Sequence, residues 1–168
     1  LNPFVAPDGS RLCFVAGTQL KTGSLAGGPP TVVCDLSSQL MGASWRGDTI
    51  VFAQAGAGLF RVPASGGHPE NVAKPDMSKG ELDYRWPEIL PGGQSILYAV
   101  YSSGGQRDAR IVARRLDGGD PKLLIEGGNV PHYVPIGHPL YAFGTSPNLA
   151  GPFEFTRLET SGARGPGI

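Results

Sequence analysis

Six side chains carry most of the chemistry this sequence could perform. Glu81, Asp83, Tyr84 and Arg85 fall within five residues, Glu88 follows shortly, and His132 lies further on. Carboxylates, a phenol, a guanidinium and an imidazole can hold a polar ligand or exchange protons with it. The plainer reading of the same residues is structural, with Arg85 bridged to Glu81 or Glu88. Other chemistries lack their residues. The three histidines, His68, His132 and His138, have no metal-ligand spacing, and there is no Cys-x-x-Cys. No run of alternating aspartates suggests a calcium loop. No Gly-x-Ser-x-Gly elbow presents a nucleophilic serine. Gly27-Gly28, Gly66-Gly67 and Gly118-Gly119 sit between strand-like runs, not before a helix, so they read as hairpins, not phosphate cradles. Arg46-Gly47-Asp48 spells an adhesion tripeptide but occupies a repeat turn. We therefore expect no catalytic residue, no metal and no cofactor.

Those side chains must be positioned by a turn-rich scaffold. Glycine and proline contribute 26 and 16 of 168 residues, and only 17 % are charged. Glycine and proline punctuate apolar runs, which is the pattern of short strands and turns. No segment holds a helical period over ten or more residues. The formal net charge is zero, so the basic footprint of a nucleic-acid binder is missing. No apolar run reaches the roughly 18 residues of a membrane span, and no signal segment opens the chain. Leu1 stands where a start methionine would, and the pattern begins midway, as in a piece cut from something longer.

Four units line up on their turns. Their first turn residues are Pro7, Arg46, Pro91 and Pro135, spaced by 39, 45 and 44 residues. A propeller blade of four strands repeats at about 40–45. The units run over about 1–36, 37–82, 83–129 and 130–168, within one domain of residues 1–168. In each, a short first strand ends at the turn. An apolar second strand follows: Leu12–Ala16, Thr49–Ala53, Ile96–Tyr101 and Leu140–Phe143. Third strands are Gly58–Val62 and Ala109–Arg114. A Gly-Gly hairpin leads to fourth strands at Thr31–Cys34 and Pro121–Ile125. The fold expected is all-β, a β-propeller of four-stranded antiparallel blades with about four blades in this chain.

This repeat places the chemistry. Cys13 and Cys34 fall on the second and fourth strands of one blade, roughly 9–10 Å apart, too far for a disulfide. Glu81 to Arg85 fall on the loop into the third blade, and His132 aligns with Glu88 one blade later, all near the channel mouth. Pro87 sits near the start of a short, frayed first strand, where a missing donor costs little. Trp45 and Trp86 are expected to wedge between blades.

The stretches "APDG", "MGASWRGDTIVFAQAGAGLFRVPASGG", "KGELDYRWPEILPGGQSILYAV" and "GPFEFTRLETSG" resemble TolB-like propellers. They resemble most the propeller that follows the kinase domain in bacterial membrane-anchored serine/threonine kinases. The resemblance covers nearly the whole chain and is carried by Trp45, Arg85-Trp86-Pro87 and Phe153 to Leu158. It implies an extracytoplasmic sensor or interaction domain, periplasmic or at the cell surface. None of the kinase motifs is present. The reading is a non-catalytic module that binds a protein or a small molecule at the channel mouth, through Glu81, Asp83, Tyr84, Arg85, Glu88 and His132. A propeller hydrolase or lyase and a ligand-free assembly scaffold are the alternatives. Exposed blade flanks further suggest a homodimer joined through them, burying more than about 1,600 Å².

Overall fold

The computed structural model describes residues 3–134, for 106, 107 and 134 the backbone alone, and the backbone of 138–143. Blade 1 contains β1 (Phe4–Val5), β2 (Arg11–Ala16), β3 (Gln19–Ser24) and β4 (Thr31–Asp35). Blade 2 contains β5 (Leu40–Arg46), β6 (Thr49–Gln54), β7 (Gly58–Pro63) and β8 (Glu70–Ala73). Blade 3 contains β9 (Glu81–Ile89), β10 (Ser95–Ser102), β11 (Gly105–Arg115) and β12 (Gly118–Glu126). Each is an antiparallel sheet whose strands pair in chain order. β13 (Gly128–Val134) and β14 (His138–Phe143) pair as the start of a fourth blade. Among the described residues the helical content is one 3₁₀ turn, Met77–Lys79. The resemblance-bearing stretch Phe153 to Leu158 lies outside the described residues.

β6 and β10 are apolar on both faces because each is packed on both sides. In β6, Ile50 and Phe52 face blade 1, where they bury with Cys13, Leu20 and Val33. Val51 and Ala53 face blade 3 and meet Ile96, Tyr98 and Val100 of β10. A strand buried on both faces reads as a continuous apolar run. Trp45 wedges between blades 1 and 2 as expected, 7 % exposed. Its indole N–H donates to the Gly47 carbonyl at 3.0 Å, and the Arg11 guanidinium lies 4.6 Å above the ring. Gly58 opens β7 with φ 99°, and a Cβ there would run into the Ala73 carbonyl.

Cys13 and Cys34 are free and buried. Burial pushes their thiols up to about 12 and about 11, helped by Cys34 on Cys13 and by Asp35 on Cys34.

The inner strands correct the sequence reading. Only β1 is short. β5 has seven residues and β9 has nine, so Glu81 to Arg85 belong to a strand and not to a loop. The third blade accordingly begins at Glu81. Pro87 lies deep in β9, not near a frayed start. It is tolerated because the ladder to β10 breaks there: pairing jumps from Arg85–Ala99 to Glu88–Leu97. A bulge of this kind frees the proline from donating to the ladder. The irregularity recurs in β5 between Leu40 and Ala43, and in β13 between Asn129 and His132. At the same register Gly42, Trp86 and Val130 have φ of 115°, 54° and 50°. Glycine takes this conformation freely, whereas tryptophan and a β-branched valine are strained in it. Gly42 is also required by space, since its Cβ would sit 2.9 Å from the Trp86 Cα.

Candidate functional site

β9 carries five of the six expected site residues, and β13 carries His132. They do not converge on one surface. They separate into two groups near opposite ends of β9, because Glu81 pairs with Ser102 at the end of β10 while Glu88 pairs with Leu97 near its start.

The first group is a buried joint. Glu81 accepts the Asp76 N–H at 3.0 Å and a hydrogen bond from Arg110 Nη2 at 3.0 Å. The Tyr84 hydroxyl sits between the Glu81 carboxylate and the Lys74 carbonyl. Burial, and secondarily Glu81, raise the Tyr84 pKa far above the phenol range, so the hydroxyl stays a donor. Asp83 accepts the Gly56 N–H of blade 2 at 3.2 Å and Arg85 Nε at 2.9 Å. The Arg85 guanidinium lies 4.4 Å from the Tyr101 ring centre. The expected Arg85 bridge to Glu81 or Glu88 is thus replaced by one to Asp83. Residues two apart on a strand share a face, which brings Asp83 and Arg85 together. Arg110 reaches Glu81 from β11, a partner only the sheet could supply. These bonds fasten the 74–80 loop and a blade 2 turn to blade 3.

The second group joins inner strands. Ser44, Glu88 and His132 occupy one register position in β5, β9 and β13, opposite Val51, Leu97 and Leu140. Ser44 Oγ accepts the Ile89 N–H at 3.1 Å. Glu88 Oε2 lies 2.7 Å from His132 Nδ1, and the Tyr133 backbone N–H is near enough to favour its ionised form. Ser44 and Glu88 therefore each reach the inner strand of the next blade. Arg46 Nε donates to the Ile89 carbonyl at 3.2 Å, so the adhesion-like tripeptide is held in a blade contact. Burial raises the Glu88 pKa, opposed by the Tyr133 N–H, His132 and Arg46.

Between the two groups stand the strained residues. Trp86 is 38 % exposed and Val130 41 %. The expectation that Trp86 wedges between blades fails, because the bulge's left-handed backbone holds its side chain out of the core. Only part of the indole is covered, against Gly42.

A cleft of about 470 Å³ lies elsewhere, at the turn ends of blades 2 and 3. None of the six residues lines it. Arg61, Glu70, Arg115 and Asp117 do, in two ion pairs of 2.8 and 2.5 Å. Sequence reading passed over these four. The available signal was an arginine near the end of each alternating third strand. His68 is exposed in a turn. Among the described residues no cluster of three His, Cys, Asp or Glu could hold a metal ion. No helix among them is long and apolar enough to cross a membrane.

This architecture is that of a β-propeller, three four-stranded blades and the start of a fourth among the described residues. By sequence, no family model and no curated protein matches the chain. By structure, it superposes on TolB from Acinetobacter baumannii with a TM-score of 0.68 at 16 % identity, covering 84 % of this chain and 37 % of TolB. A nidogen/laminin complex gives 0.64 at 16 % identity, with 83 % and 54 % covered. A prolyl endopeptidase gives 0.60 at 12 % identity, with 83 % and 24 % covered. At these identities the likeness establishes the fold. The chain spans about a quarter to about half of the proteins it resembles.

Proposed function

We propose that this chain is part of a non-catalytic propeller module that binds a protein segment at its inner strands. The observation that carries this reading is the pair Trp86 and Val130. Both hold a backbone conformation costing about 1–3 kcal/mol per residue, yet burial returns little of that cost, since both are exposed. An exposed tryptophan on a rigid strand is the side chain most often dominant in protein recognition. The six titratable residues act as the scaffold behind it. The exposed Trp86 and Val130 side chains suit an apolar or aromatic peptide side chain. The sequence resemblance adds the finer reading of an extracytoplasmic sensor domain of a receptor-like bacterial serine/threonine kinase.

A random-peptide display library panned on the immobilised chain tests the binding reading. Convergent sequences whose capture falls by about tenfold or more with Trp86→Ala, at unchanged melting temperature, support it. Failure to converge, or equal capture by Trp86→Ala, overturns it.

A further inference from the structure

Blades 2 and 3 meet along a seam that holds two polar groups without partners. Tyr98 of β10 is fully buried there, with Val112 of β11, against Val51, Ala53 and Leu59 of blade 2. Arg114 follows Val112 by two residues and lies opposite Ile96, so it shares their face and stands diagonal to Tyr98. Among the described residues, the Tyr98 hydroxyl and Arg114 Nε are the buried side-chain atoms that find no hydrogen-bond partner. Every other arginine whose side chain is described has one. Arg61, Arg85, Arg110 and Arg115 hold carboxylates, Arg46 a carbonyl and Arg11 the Trp45 ring.

Both orphans are donors. A guanidinium has no lone pair with which to accept. Burial pushes the Tyr98 phenol up to about 12, so its hydroxyl keeps its proton at neutral pH, and Arg114 is near enough to its oxygen to favour the ionised form. The neighbouring carboxylate is spent: Glu81 already takes the Asp76 N–H, Arg110 and the Tyr84 hydroxyl. Arg110 and Arg114 against Glu81 leave one positive charge in excess. We propose that Tyr98 and Arg114 form a binding site for a small monovalent anion of the size of chloride. A monatomic anion accepts hydrogen bonds from any direction, so the phenol and the guanidinium need not share a plane. Its charge offsets that of Arg114, which a water molecule in the same place would not do. A buried donor left without an acceptor destabilises the fold, so an anion held here fastens the two blades together. The ion must be small because neither donor atom touches solvent. Arg114 as a whole is only half-buried, so rotation of that one side chain admits the ion.

The linewidth of the chloride nuclear resonance, followed as sodium chloride is titrated into the full chain, tests this. The expected result is a saturable broadening whose dissociation constant rises about tenfold or more with Arg114→Gln and by a smaller factor with Tyr98→Phe. Melting in sodium chloride and in sodium gluconate of equal ionic strength is the second measurement, because gluconate is too large to enter. The parent should melt higher in chloride, as binding to the folded state requires, and Arg114→Gln should melt alike in both salts. The parent's own difference between the salts stands even where a variant folds poorly. No broadening by the parent, broadening indifferent to Arg114→Gln, or equal melting of the parent in the two salts overturns the proposal.

Discussion

Trp45→Ala should be the most damaging single truncation in the first half of the chain. The indole belongs to one buried cluster with Ala6, Cys13 and Leu20 of blade 1 and Ile50 and Val62 of blade 2. A buried tryptophan removes roughly 150–250 Å² from water, which at about 25 cal/mol per Å² is about 4–6 kcal/mol. Alanine retains a fraction of that, and the neighbours relax only in part. Core Trp→Ala changes accordingly cost about 3–5 kcal/mol. That range already includes the Nε1–H bond to Gly47, about 1 kcal/mol, and the Arg11 stacking, about 0.5–1. We expect a loss of about 4 kcal/mol, which lowers a urea midpoint by about 2 M at a slope near 2 kcal/mol per molar. Urea unfolding followed by far-ultraviolet circular dichroism measures it. Trp86→Ala is the internal control, since a partly exposed ring should cost about 1 kcal/mol or less. A Trp45→Ala shift under about 1 kcal/mol, or equal shifts for the two variants, would refute the wedge and with it the blade assignment.

Three further outcomes follow from single sites. Gly58→Ala should cost about 3 kcal/mol by chemical denaturation, because it adds a strained φ to a collision with the Ala73 carbonyl; a neutral effect would show that β8 is placed wrongly. Cys13 and Cys34, with thiols pushed to about 12 and about 11, should resist maleimide at pH 8 until urea is added, and fast native labelling would contradict their burial. Glu88 has a folded pKa raised by burial above an unfolded value of about 4.3. Its contribution is then fully present below that unfolded value and is lost as pH rises through the folded one. The stability of the parent relative to Glu88→Gln should fall as pH rises from 4, measured by urea titration at each pH; a rise would mean that His132 and the Tyr133 N–H outweigh the burial.

Much of the scaffold was legible because its signals are local. Turns in this chain are rich in glycine and proline, so the spacing of Pro7, Arg46 and Pro91 marked the described blades, while Pro135 lies outside the described residues. A second strand covered on both faces must be apolar throughout, so Thr49–Ala53 and Ile96–Tyr101 announced themselves, within the observed Thr49–Gln54 and Ser95–Ser102. The candidate site was less legible. Glu81, Asp83, Tyr84, Arg85 and Glu88 looked like one polar loop, because adjacency in sequence hides which face of a strand each residue occupies and which end it reaches. Their partners come from afar: Arg110 from β11, Gly56 from blade 2 and His132 from β13.

The sequence by itself determined the all-β class, the blade period, the separation of the two cysteines and the burial of Trp45. Each follows from chain geometry or from the period of apolar residues. Only the tertiary structure decided that the inner strands bulge at Gly42, Trp86 and Val130, because a bulge is defined by a partner strand's register and not by the bulged residues. It alone decided that Ser44, Glu88 and His132 form one row. Residues 44 apart in sequence become neighbours only when successive blades stack with their inner strands side by side, and the Ile89 N–H that Ser44 accepts is within its reach only in that arrangement.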